Sequence, residues 1–575
     1  MFSIISIVSH SMGFPVFVTV GAWLVISGYS QSLIRSSFTC EERSKSCYQH
    51  QVRSDQRLEK GAAPSTKRAL RLDLFPTAET QPNGDEKTTL LNEREDYFSD
   101  WLKRQQLNEP ETVPMVFVSV AGGGQRAALW GNEVLGTLQD TDPQFDDSVF
   151  SISAVSGGAL GTAVFTSLLV EGDLPAAGGV ELGYADRGRE ILLEDSLSPS
   201  LSALLFVDLL SYFSPIQMFE ARASALERSW EAAWRQRPCV EDGEVKRGCS
   251  PQASPSFVYV SDAPQIEECS VHRLLKSDFL CTWLHDGVNE IPAVFYNSTH
   301  RQTGRRIITS NVLFDPVIPN AIDFYRHHDG RIAHSTAVHS SARFPIISPA
   351  GVLSKGGKLK GHVLDGGYVD NSGSLTTKDI AAGGIEAFVE QETKRRSTAE
   401  DSAPIKLRPI FVEITNDANA VCRGRSCSAQ AATDQCRGNL FNGKLSGEKQ
   451  RLRIPILGEL VTPLYGVLAV RGRVGADAAD ELDRFRREKT CEPDMKDFIE
   501  SSHYIQFTLC DVQLNDTPVG WMHTRVRSNV YPASLGKGEI NSGESISPIS
   551  KNTECVAYNE ASLRALTALV SQERQ

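Results

Sequence analysis

The sequence has no run of lysine and arginine of the kind that binds nucleic acid. Its 575 residues contain 71 Asp and Glu against 59 Lys and Arg, which gives a formal net charge of −12 at pH 7. Because nucleic acids are bound by clustered cations, a nucleic-acid partner is not expected. Internal repeats are absent as well. The composition, 41% hydrophobic and 23% charged, is that of a globular protein with room for one large α/β domain plus appendages.

The first 34 residues contain no Asp, Glu, Lys or Arg. Within them, residues 14–26 are nearly all apolar and residues 4–8 extend the apolar stretch, so the span is long enough to cross a bilayer. A secretory signal peptide normally begins with a basic region, which this segment lacks. We therefore predict a single transmembrane anchor over residues 1–34, with a cleaved signal as the alternative.

Two features disagree about which side of the membrane carries the body of the protein. Between residues 35 and 71, nine Lys and Arg face four Asp and Glu, an excess that favours the cytoplasmic side. The chain also contains twelve cysteines, many in short polar segments typical of disulfides in an oxidising compartment. The expected pairs are Cys40 with Cys47, Cys239 with Cys249, and Cys269 with Cys281. On balance we expect an extracytoplasmic body, in a periplasm or lumen.

No convincing metal site is present in the sequence. Cys422, Cys427 and Cys436 lie close together, but no histidine is near them and their spacing fits no familiar zinc finger. The triplet His327-His328-Asp329 follows an amphipathic stretch and is expected to be solvated rather than ligating. We expect neither a metal nor another cofactor.

Ser156 is the most informative residue of the chain, because a strand-like run ends at it and a helix-like run follows it. Residues 149–155 are apolar and β-prone, and small residues then lead into a helix-compatible stretch that reaches Val170. A serine on such a tight turn holds its hydroxyl out of the packing, beside the free N–H groups of a helix N-terminus. The pattern Ala154-x-Ser156-x-Gly158 therefore indicates a nucleophile elbow and acyl-transfer chemistry.

A second strand-to-helix junction lies upstream. Residues 113–120 form a strand-like run that leads into Ala-Gly-Gly-Gly-Gln-Arg at residues 121–126 and then into a helical pattern. Three glycines at such a junction expose backbone N–H groups that suit a phosphate or the oxyanion of a tetrahedral intermediate. A dinucleotide fingerprint is the alternative, but it requires an acidic residue at the end of the second strand, where Ser156 stands instead.

A downstream aspartate is a candidate partner for Ser156. Asp365 follows a short apolar strand and precedes Gly366 and Gly367. By itself an Asp-Gly-Gly turn is common. Since a serine hydroxyl is a poor nucleophile until a base accepts its proton, a carboxylate in this position can serve as that base.

Together these segments resemble the patatin-like phospholipase family, which includes the cytosolic phospholipase A2 type. Residues 122–126 resemble its glycine-rich oxyanion loop, residues 155–158 its nucleophile elbow, and Asp365-Gly366-Gly367 its catalytic aspartate turn. Residues 340–349 and 222–230 are similar to further blocks of the family. The blocks follow the family's order over residues 113–370, about half of the chain. The departures are Ala154, where the family usually has glycine, and an N-terminal segment that the plain family core lacks.

The resemblance implies an acyl hydrolase of phospholipase A or lysophospholipase type, acting on a phospholipid or lysophospholipid at a membrane. Ser156 would attack the fatty-acyl ester while Asp365 takes its proton. Arg126 would either contact the lipid phosphate or form a structural ion pair that fixes the glycine loop. The oxyanion would be stabilised by backbone N–H groups of Gly122, Gly123, Gly124 and Gly157.

The pattern of strands and helices predicts the fold that carries these residues. Strand-like runs alternate with helical patterns, which favours a three-layer α/β/α sandwich with a mainly parallel central sheet over residues 111–575. Residues 35–110 read as a polar linker. The part of the chain after residue 370 is expected to complete the sheet.

Two other functions stay open at this point. One is an α/β-hydrolase esterase in which Ser156 and Asp365 are joined by His503 or His523 as a third member, in the chain order of that fold. The other is a catalytically silent lipid-binding scaffold. The first leaves residues 340–349 unexplained, and the second does not account for the presence of all three catalytic elements.

Residues 201–219 are mostly apolar and contain a single charge, Asp208. We expect a buried helix pair broken at Pro215. The alternative is an acyl-binding lid over the serine, with an exposed apolar patch that contacts lipid.

Overall fold

The structure is a computed structural model that describes residues 71–76, 96–106, 111–173, 182–208, 222–241, 244–248, 256–257, 269–283, 291–315, 317–328, 331–344, 347–398, 403–416, 426–427, 455–510, 530–537 and 553–571. The predicted anchor over residues 1–34 lies outside this part of the chain. Of the helices that the structure describes, none combines the length and the apolar character needed to cross a bilayer.

The fold is α/β, with a mainly parallel central sheet. The strands are β1 (Thr112–Val120), β2 (Val149–Val155), β3 (Pro238–Glu241), β4 (Glu244–Arg247), β5 (Ser256–Phe257), β6 (Cys269–Ser270), β7 (Ala293–His300), β8 (Arg306–Ser310), β9 (Ile322–Asp323), β10 (Gly351–Lys355), β11 (Lys358–Asp365), β12 (Lys406–Thr415) and β13 (His503–Thr508). The central sheet has the order β10-β11-β7-β2-β1-β12-β13, with β8 against β7 and β9 against β8. Strands β7, β2, β1, β12 and β13 run parallel to one another.

Helices connect these strands and cover the sheet. They are α1 (Tyr97–Gln105), α2 (Gly124–Thr141), α3 (Phe145–Ser148), α4 (Gly157–Glu171), α5 (Tyr184–Leu192), α6 (Leu197–Ser202), α7 (Arg222–Arg235), α8 (Phe324–His327), α9 (His334–Ser341), α10 (Ser374–Thr398), α11 (Pro455–Thr490), α12 (Val530–Ser534) and α13 (Thr553–Ser571). A π-helical turn, Ala203–Asp208, continues α6, and 3-10 turns span Val271–Arg273, Phe279–Trp283, Gly366–Tyr368 and Pro493–Met495.

Strand β1 shows why both faces of the sheet are covered. All nine of its residues are buried, and alternate side chains point to opposite faces of a strand. Val116, Val118 and Val120 belong to a core that includes side chains of α2 and α4. Met115 and Phe117 belong to a second core, which includes side chains of α1 and α10. Two apolar cores on opposite faces are consistent with the expected three-layer α/β/α sandwich.

The body of the protein begins earlier than the predicted boundary at residue 111. Helix α1 buries Tyr97, Phe98, Trp101 and Leu102 in the second core, because these residues share one side of the helix. Further upstream, Leu74 N–H bonds to the carbonyl of Leu313 at 2.7 Å. Residues 71–76 and 96–106 are therefore part of the folded body rather than of a polar linker.

Disulfide bonds cross-link several of the described segments. The expected pair Cys269–Cys281 is present. Cys239 is also disulfide-bonded, while its expected partner Cys249 lies outside the described residues, as do Cys40 and Cys47. Two further bonds join cysteines distant in sequence, Cys427 with Cys491 and Cys510 with Cys555.

Candidate active site

Ser156 lies on a tight turn between β2 and α4, as expected for a nucleophile elbow. Its backbone has φ 53° and ψ −121°, a conformation that a residue with a side chain rarely adopts. The turn is held because the Ser156 N–H donates to Ser341 Oγ at 2.8 Å, and that hydroxyl donates onward to the carbonyl of Asn297 at 2.5 Å. Ser156 is 2% exposed.

Strand β7 brings the nucleophile and the carboxylate together. Val155 at the end of β2 pairs with Asn297, and Asp365 at the end of β11 pairs with the next residue of β7, Ser298. Strand β8 occupies the other edge of β7 along the same residues, so β2 and β11 meet end to end on one edge. Ser156 Oγ consequently donates a 2.7 Å hydrogen bond to Asp365 Oδ2, across 209 positions of sequence.

The second oxygen of Asp365 is held by two other donors. Oδ1 accepts a hydrogen bond from the Gly367 N–H at 2.9 Å and an ion pair from Arg471 Nη2 at 2.6 Å. With Oδ1 engaged in this way, Oδ2 faces the serine. The carboxylate is fully buried. Arg471 comes from α11 and was not found by reasoning from the sequence.

Aromatic rings surround the Arg471 guanidinium. Its central carbon lies 5.0 Å from the ring centre of Phe344 and 5.9 Å from that of Tyr368, within the range of cation–π attraction. Burial, and secondarily the charge of Asp365, raise the pKa of Tyr368, while Arg471 opposes this shift. The phenol is therefore neutral at physiological pH.

The glycine loop and the elbow lie side by side. Gly123 (φ 155°) precedes the first residue of α2, Gly124, and a Cβ added to Gly157 would overlap the carbonyl oxygen of Gly124. The N–H groups of Gly123, Gly124 and Gly157 stand at the beginnings of α2 and α4, where helical N–H groups have no partner within the helix. None of the three donates to a backbone carbonyl of the described loops and turns.

Gly122 differs from the other three glycines, and its predicted role as an oxyanion donor is wrong. Its N–H donates to the carbonyl of Asn371 at 2.8 Å, so the hydrogen is already used. A Cβ at Gly122 would lie 2.6 Å from Asn371 Oδ1 and 3.1 Å from Ser156 Cβ. Gly122 therefore allows the loop to approach the aspartate turn closely.

Arg126 is engaged in holding the glycine loop. Its Nη2 donates to Asn416 Oδ1 at 3.1 Å, and Asn416 Nδ2 donates to the carbonyl of Gly122 at 3.0 Å. Of the two roles considered for Arg126, this geometry favours the structural one. The partner in this hydrogen bond is an amide at the end of β12, where a carboxylate was expected.

His339 joins the two blocks at residues 222–230 and 340–349 that resembled the family. His339 Nδ1 lies 2.7 Å from Glu227 Oε1, and His339 Nε2 lies 2.5 Å from Ser348 Oγ. All three side chains are buried. Burial lowers the pKa of the nearby Arg343 to about 10, and Glu227 opposes this shift. This network braces the segment whose Arg343 carbonyl accepts the Asp365 N–H at 3.2 Å.

The described histidines do not complete a triad with Ser156. His503 begins β13 and pairs with Ile410, at the amino ends of the parallel strands, whereas Ser156 follows a carboxyl end. Three strand spacings also separate β13 from β2, roughly 14 Å. His503 therefore cannot act on Ser156. His523 lies outside the described residues.

The described residues contain no cluster of His, Cys, Asp and Glu suited to a metal ion. Cys427 is not a zinc ligand, because its sulfur is bonded to Cys491. The expectation that the triplet at residues 327–329 is solvated is wrong for His328, which is buried 5.2 Å from the ring of Phe324. Asp329 lies outside the described part of the chain.

The apolar segment after α5 differs from the buried helix that was expected. The structure describes residues 201–208 of this segment. Three of their large apolar side chains are exposed: Leu201 by 37%, Leu205 by 59% and Phe206 by 66%. Ala203 is buried, so only one side of the π-helical turn faces the body. Pro215 and the rest of the segment are not among the described residues.

Comparisons with known proteins add little to this picture. No family model matches the chain, and no curated protein matches it. Among solved structures, VipD from Legionella pneumophila matches with 13% sequence identity and a TM-score of 0.19. The match covers 53% of this chain and 50% of the VipD chain, so it spans about half of either. A likeness at that TM-score defines neither the fold nor the activity.

Proposed function

We propose that the protein is a serine acyl-ester hydrolase of phospholipase A or lysophospholipase type. The observation that carries this proposal is the 2.7 Å hydrogen bond from Ser156 Oγ to Asp365 Oδ2, beside two glycine turns. A strained serine on an elbow, a buried carboxylate and free N–H groups are the three groups that acyl transfer requires. The resemblance of residues 113–370 to patatin-like phospholipases supports the lipid substrate and a patatin-like sandwich.

The proposed reaction proceeds in two halves. Asp365 Oδ2 accepts the Ser156 proton as Oγ forms a bond to the ester carbonyl carbon, and the oxyanion receives hydrogen bonds from Gly123, Gly124 and Gly157. The tetrahedral intermediate collapses, the alkoxide leaving group takes the proton from Asp365, and an acyl-serine remains. Asp365 then deprotonates a water that attacks the acyl carbon, and Ser156 recovers a proton as the fatty acid leaves.

Arg471 supports the base without touching substrate in this scheme. Its ion pair and the Gly367 N–H fix Oδ1, so the remaining oxygen points to Ser156. The buried negative charge of Asp365 is also balanced by the guanidinium, which offsets the cost of removing a carboxylate from water.

Further features of the chain support a lipid substrate. Leu205 and Phe206 expose apolar area on a short π-helical turn, which favours the lid over a buried helix pair. Residues 1–34 are proposed to anchor the chain in a membrane. The disulfides support an extracytoplasmic body, because such bonds persist in oxidising compartments.

Hydrolysis of a short p-nitrophenyl ester by purified wild type, Ser156→Ala and Asp365→Asn tests the proposal. Both variants should lose at least about 10³-fold in kcat, since each removes a group that acts on the reacting atoms. Ser167→Ala is the matched control, because this buried hydroxyl lies on the same helix α4 and has no hydrogen-bond partner among the residues that the structure describes. Equal rates for wild type and Ser156→Ala would leave the silent scaffold as the better description.

The class of lipid is tested separately. Phospholipid, lysophospholipid and neutral lipid are incubated with wild type and with Ser156→Ala, and the released fatty acid is measured. Release from phospholipid or lysophospholipid by wild type alone is expected. Full activity in His523→Ala is also expected, whereas its loss would favour the triad of an α/β-hydrolase.

A further inference from the structure

Two neighbouring hairpins extend beyond the carboxyl end of β2, on the edge of the sheet where Ser156 stands. Strand β7 continues three residues past the position paired with Val155, and residues 301–305 turn it back into β8. Strand β11 runs antiparallel to this extension, with Val363 opposite His300. The Arg301 N–H donates to the carbonyl of His362 at 2.8 Å, which joins the two hairpins.

The tip of the β10–β11 hairpin is a tight two-residue turn. Gly356 and Gly357 have φ 57° and 69°, and Lys355 pairs with Lys358 across them. Two consecutive residues with positive φ are typical of a turn whose twist matches that of the strands, and glycine adopts them without strain. The side chains that flank the tip are therefore displayed on a defined ribbon.

Of the six Lys and Arg on these two hairpins, Arg306 is paired with Asp379. The other five define what we call the cationic surface: Arg301, Arg305, Lys355, Lys358 and Lys360. Residues 293–310 contain no Asp or Glu, and residues 351–365 contain only Asp365, which is buried at the dyad. Arg301, Lys358 and Lys360 are exposed and form no ion pair with any described carboxylate. Leu359, between the two lysines, is 47% exposed.

The other two cations of this surface are held by hydrogen bonds to backbone carbonyls of neighbouring segments. Lys355 Nζ donates to the carbonyl of Tyr325 at 3.0 Å, and Arg305 Nε donates to the carbonyl of Asn320 at 3.0 Å. Both partners are backbone groups, and neither cation forms an ion pair with a carboxylate in the described part of the chain. Arg326, on the neighbouring α8, is paired with Asp315.

Two histidines close to the cationic surface, His327 of α8 and His362 of β11, have pKa values that burial and the positive charges of this surface lower. Burial lowers the pKa of His327, and the charges of His300, Lys360, Lys355 and Arg305 lower it further. Burial also lowers the pKa of His362, with added effects of Arg301 and His300. The cations that contribute to these two shifts, Lys360, Lys355, Arg305 and Arg301, all belong to the cationic surface.

We propose that the cationic surface docks on an anionic lipid surface, with Leu359 entering the interface between headgroups. The whole chain carries a net charge of −12, so a generally acidic protein presents this one edge to an anionic partner. Strand β11 runs directly from Lys358 to Asp365, so docking there brings the edge that carries the dyad toward the membrane. The choice of lipid as the partner rests on the proposed function.

The expected strength of binding to an anionic membrane follows from the number of cations on the cationic surface. Each Lys or Arg close to an anionic membrane raises the partition coefficient about fivefold at moderate salt. The attraction is screened by added salt over about 8 to 10 Å at physiological ionic strength, so binding should fall steeply as salt is raised. Insertion of Leu359 adds a smaller contribution to the free energy of binding, and this contribution does not depend on salt.

The test measures binding of the full chain to vesicles in the Ser156→Ala background, so hydrolysis cannot alter the lipid. Vesicles of phosphatidylcholine are compared with vesicles that also contain phosphatidylglycerol, and the readout is the ratio of the two partition coefficients. An anchor at residues 1–34 would contribute to both coefficients alike and cancels in the ratio. A ratio of at least about 10 is expected in 50 mM salt, falling toward 1 in 0.5 M salt.

The variant R301E/K358E/K360E reverses three exposed charges and should remove the preference for anionic vesicles. The matched control R484E/K489E/K496E makes the same change in net charge at three exposed cations of α11 and the turn that follows it, and should keep the preference. The milder R301Q/K358Q/K360Q should lower the ratio about tenfold or more, and it serves as the second variant if charge reversal impairs folding.

Three outcomes would overturn the proposal. They are a wild-type ratio near 1, an equal loss in the control variant, and binding to RNA or an acidic polypeptide that competes fully with anionic vesicles. Hydrolysis of a short soluble ester by the R301E/K358E/K360E protein with an intact Ser156 should equal that of wild type. Failure of docking thus leaves esterase activity in place, whereas failure of the proposed function removes esterase activity and leaves vesicle binding.

Discussion

Arg471 Nη2 lies 2.6 Å from Asp365 Oδ1, an ion pair that joins helix α11 to the carboxylate bonded to Ser156. The same nitrogen lies 3.2 Å from Asn371 Oδ1, and the Asn371 carbonyl accepts the N–H of Gly122. One guanidinium therefore contacts the aspartate turn directly and the glycine loop through one residue. This relationship makes Arg471 a positioning residue for the proposed reaction.

Replacing Arg471 should lower turnover more than substrate affinity. Arg471→Met leaves Oδ1 of Asp365 with the Gly367 N–H alone, so the carboxylate can rotate away from Ser156. We expect kcat on a soluble ester to fall about 10²-fold, with KM changed less than about threefold. Arg471→Lys should restore part of kcat and also covers the case in which the methionine variant does not fold, since breaking a buried pair costs about 3–5 kcal/mol.

The control for Arg471 is Arg473→Met. Arg473 lies two residues further along α11, is 77% exposed and pairs with Asp477 on the surface. Its loss should leave kcat unchanged, because surface pairs contribute little. A wild-type kcat in Arg471→Met would contradict the positioning role.

Ser341 should matter through the backbone of the elbow. In Ser341→Ala the Ser156 N–H loses its 2.8 Å acceptor in a buried and strained turn. The unsatisfied N–H should lower the free energy of unfolding by about 1–3 kcal/mol and reduce kcat as well. Urea unfolding and ester hydrolysis measure the two effects.

Ser340→Ala provides the comparison for that prediction. Ser340 is also buried, but its Oγ donates to the Thr336 carbonyl within α9 and touches neither the elbow nor the dyad. It should retain wild-type kcat. Equal losses of activity in both variants would show that the elbow does not depend on Ser341.

Gly157→Ala should destabilise the site although alanine is the better helix former. The added methyl group would overlap the carbonyl oxygen of Gly124, which belongs to a backbone that cannot move freely. Esterase activity should therefore fall at least about 10²-fold, because the two glycine turns are pushed apart. Gly384→Ala, in α10, is the control. Its methyl would lie 3.0 Å from the flexible end of Met115. The free energy of unfolding and the esterase activity of Gly384→Ala should therefore be nearly those of wild type.

His334 should make the protein less stable in acid. Burial lowers the pKa of His334 from 6.5 to about 3, so the native state keeps the ring neutral while the unfolded chain takes up a proton below about pH 6.5. The unfolded state is therefore favoured as the pH falls. Between pH 7.5 and pH 5, wild type should lose about 2 kcal/mol more unfolding free energy than His334→Gln.

Denaturant unfolding of both proteins at the two pH values measures this difference. Asp146 acts in the opposite direction, because burial raises its pKa to about 6 and the native state protonates first as the pH falls. Since Asp146 is present in both proteins, its effect cancels in the comparison. Identical pH dependences of wild type and His334→Gln would refute the assignment of a neutral buried imidazole.

Local features of the site were predictable because each depends on consecutive residues. The elbow at Ser156 was indicated by a strand-like run followed by small residues, and β2 and α4 flank it as expected. The glycine loop before α2 was found in the same way. The pair Cys269–Cys281 was predicted from its short separation.

Other predictions were wrong because contacts between distant segments overruled the local pattern. Gly122 looked like its neighbours, but its N–H is used by Asn371. His328 lies in a polar triplet and yet is buried against Phe324. Residues 201–206 are apolar and yet expose three large side chains, because only one side of this turn faces the body.

By itself, the sequence indicated the runs that form β1 and β2, the positions of the serine turn and the glycine turn, and the short strand that leads to Asp365. Such features follow from backbone preferences and apolar periodicity over a few residues. Only the tertiary structure decided that β2 and β11 share one edge of β7, that Arg471 reaches Asp365 from 106 positions away, and that scattered cations form one surface. The reason is physical: strand pairing and burial join groups that no local pattern connects, and the charges and hydrogen bonds of the site arise only after those groups meet.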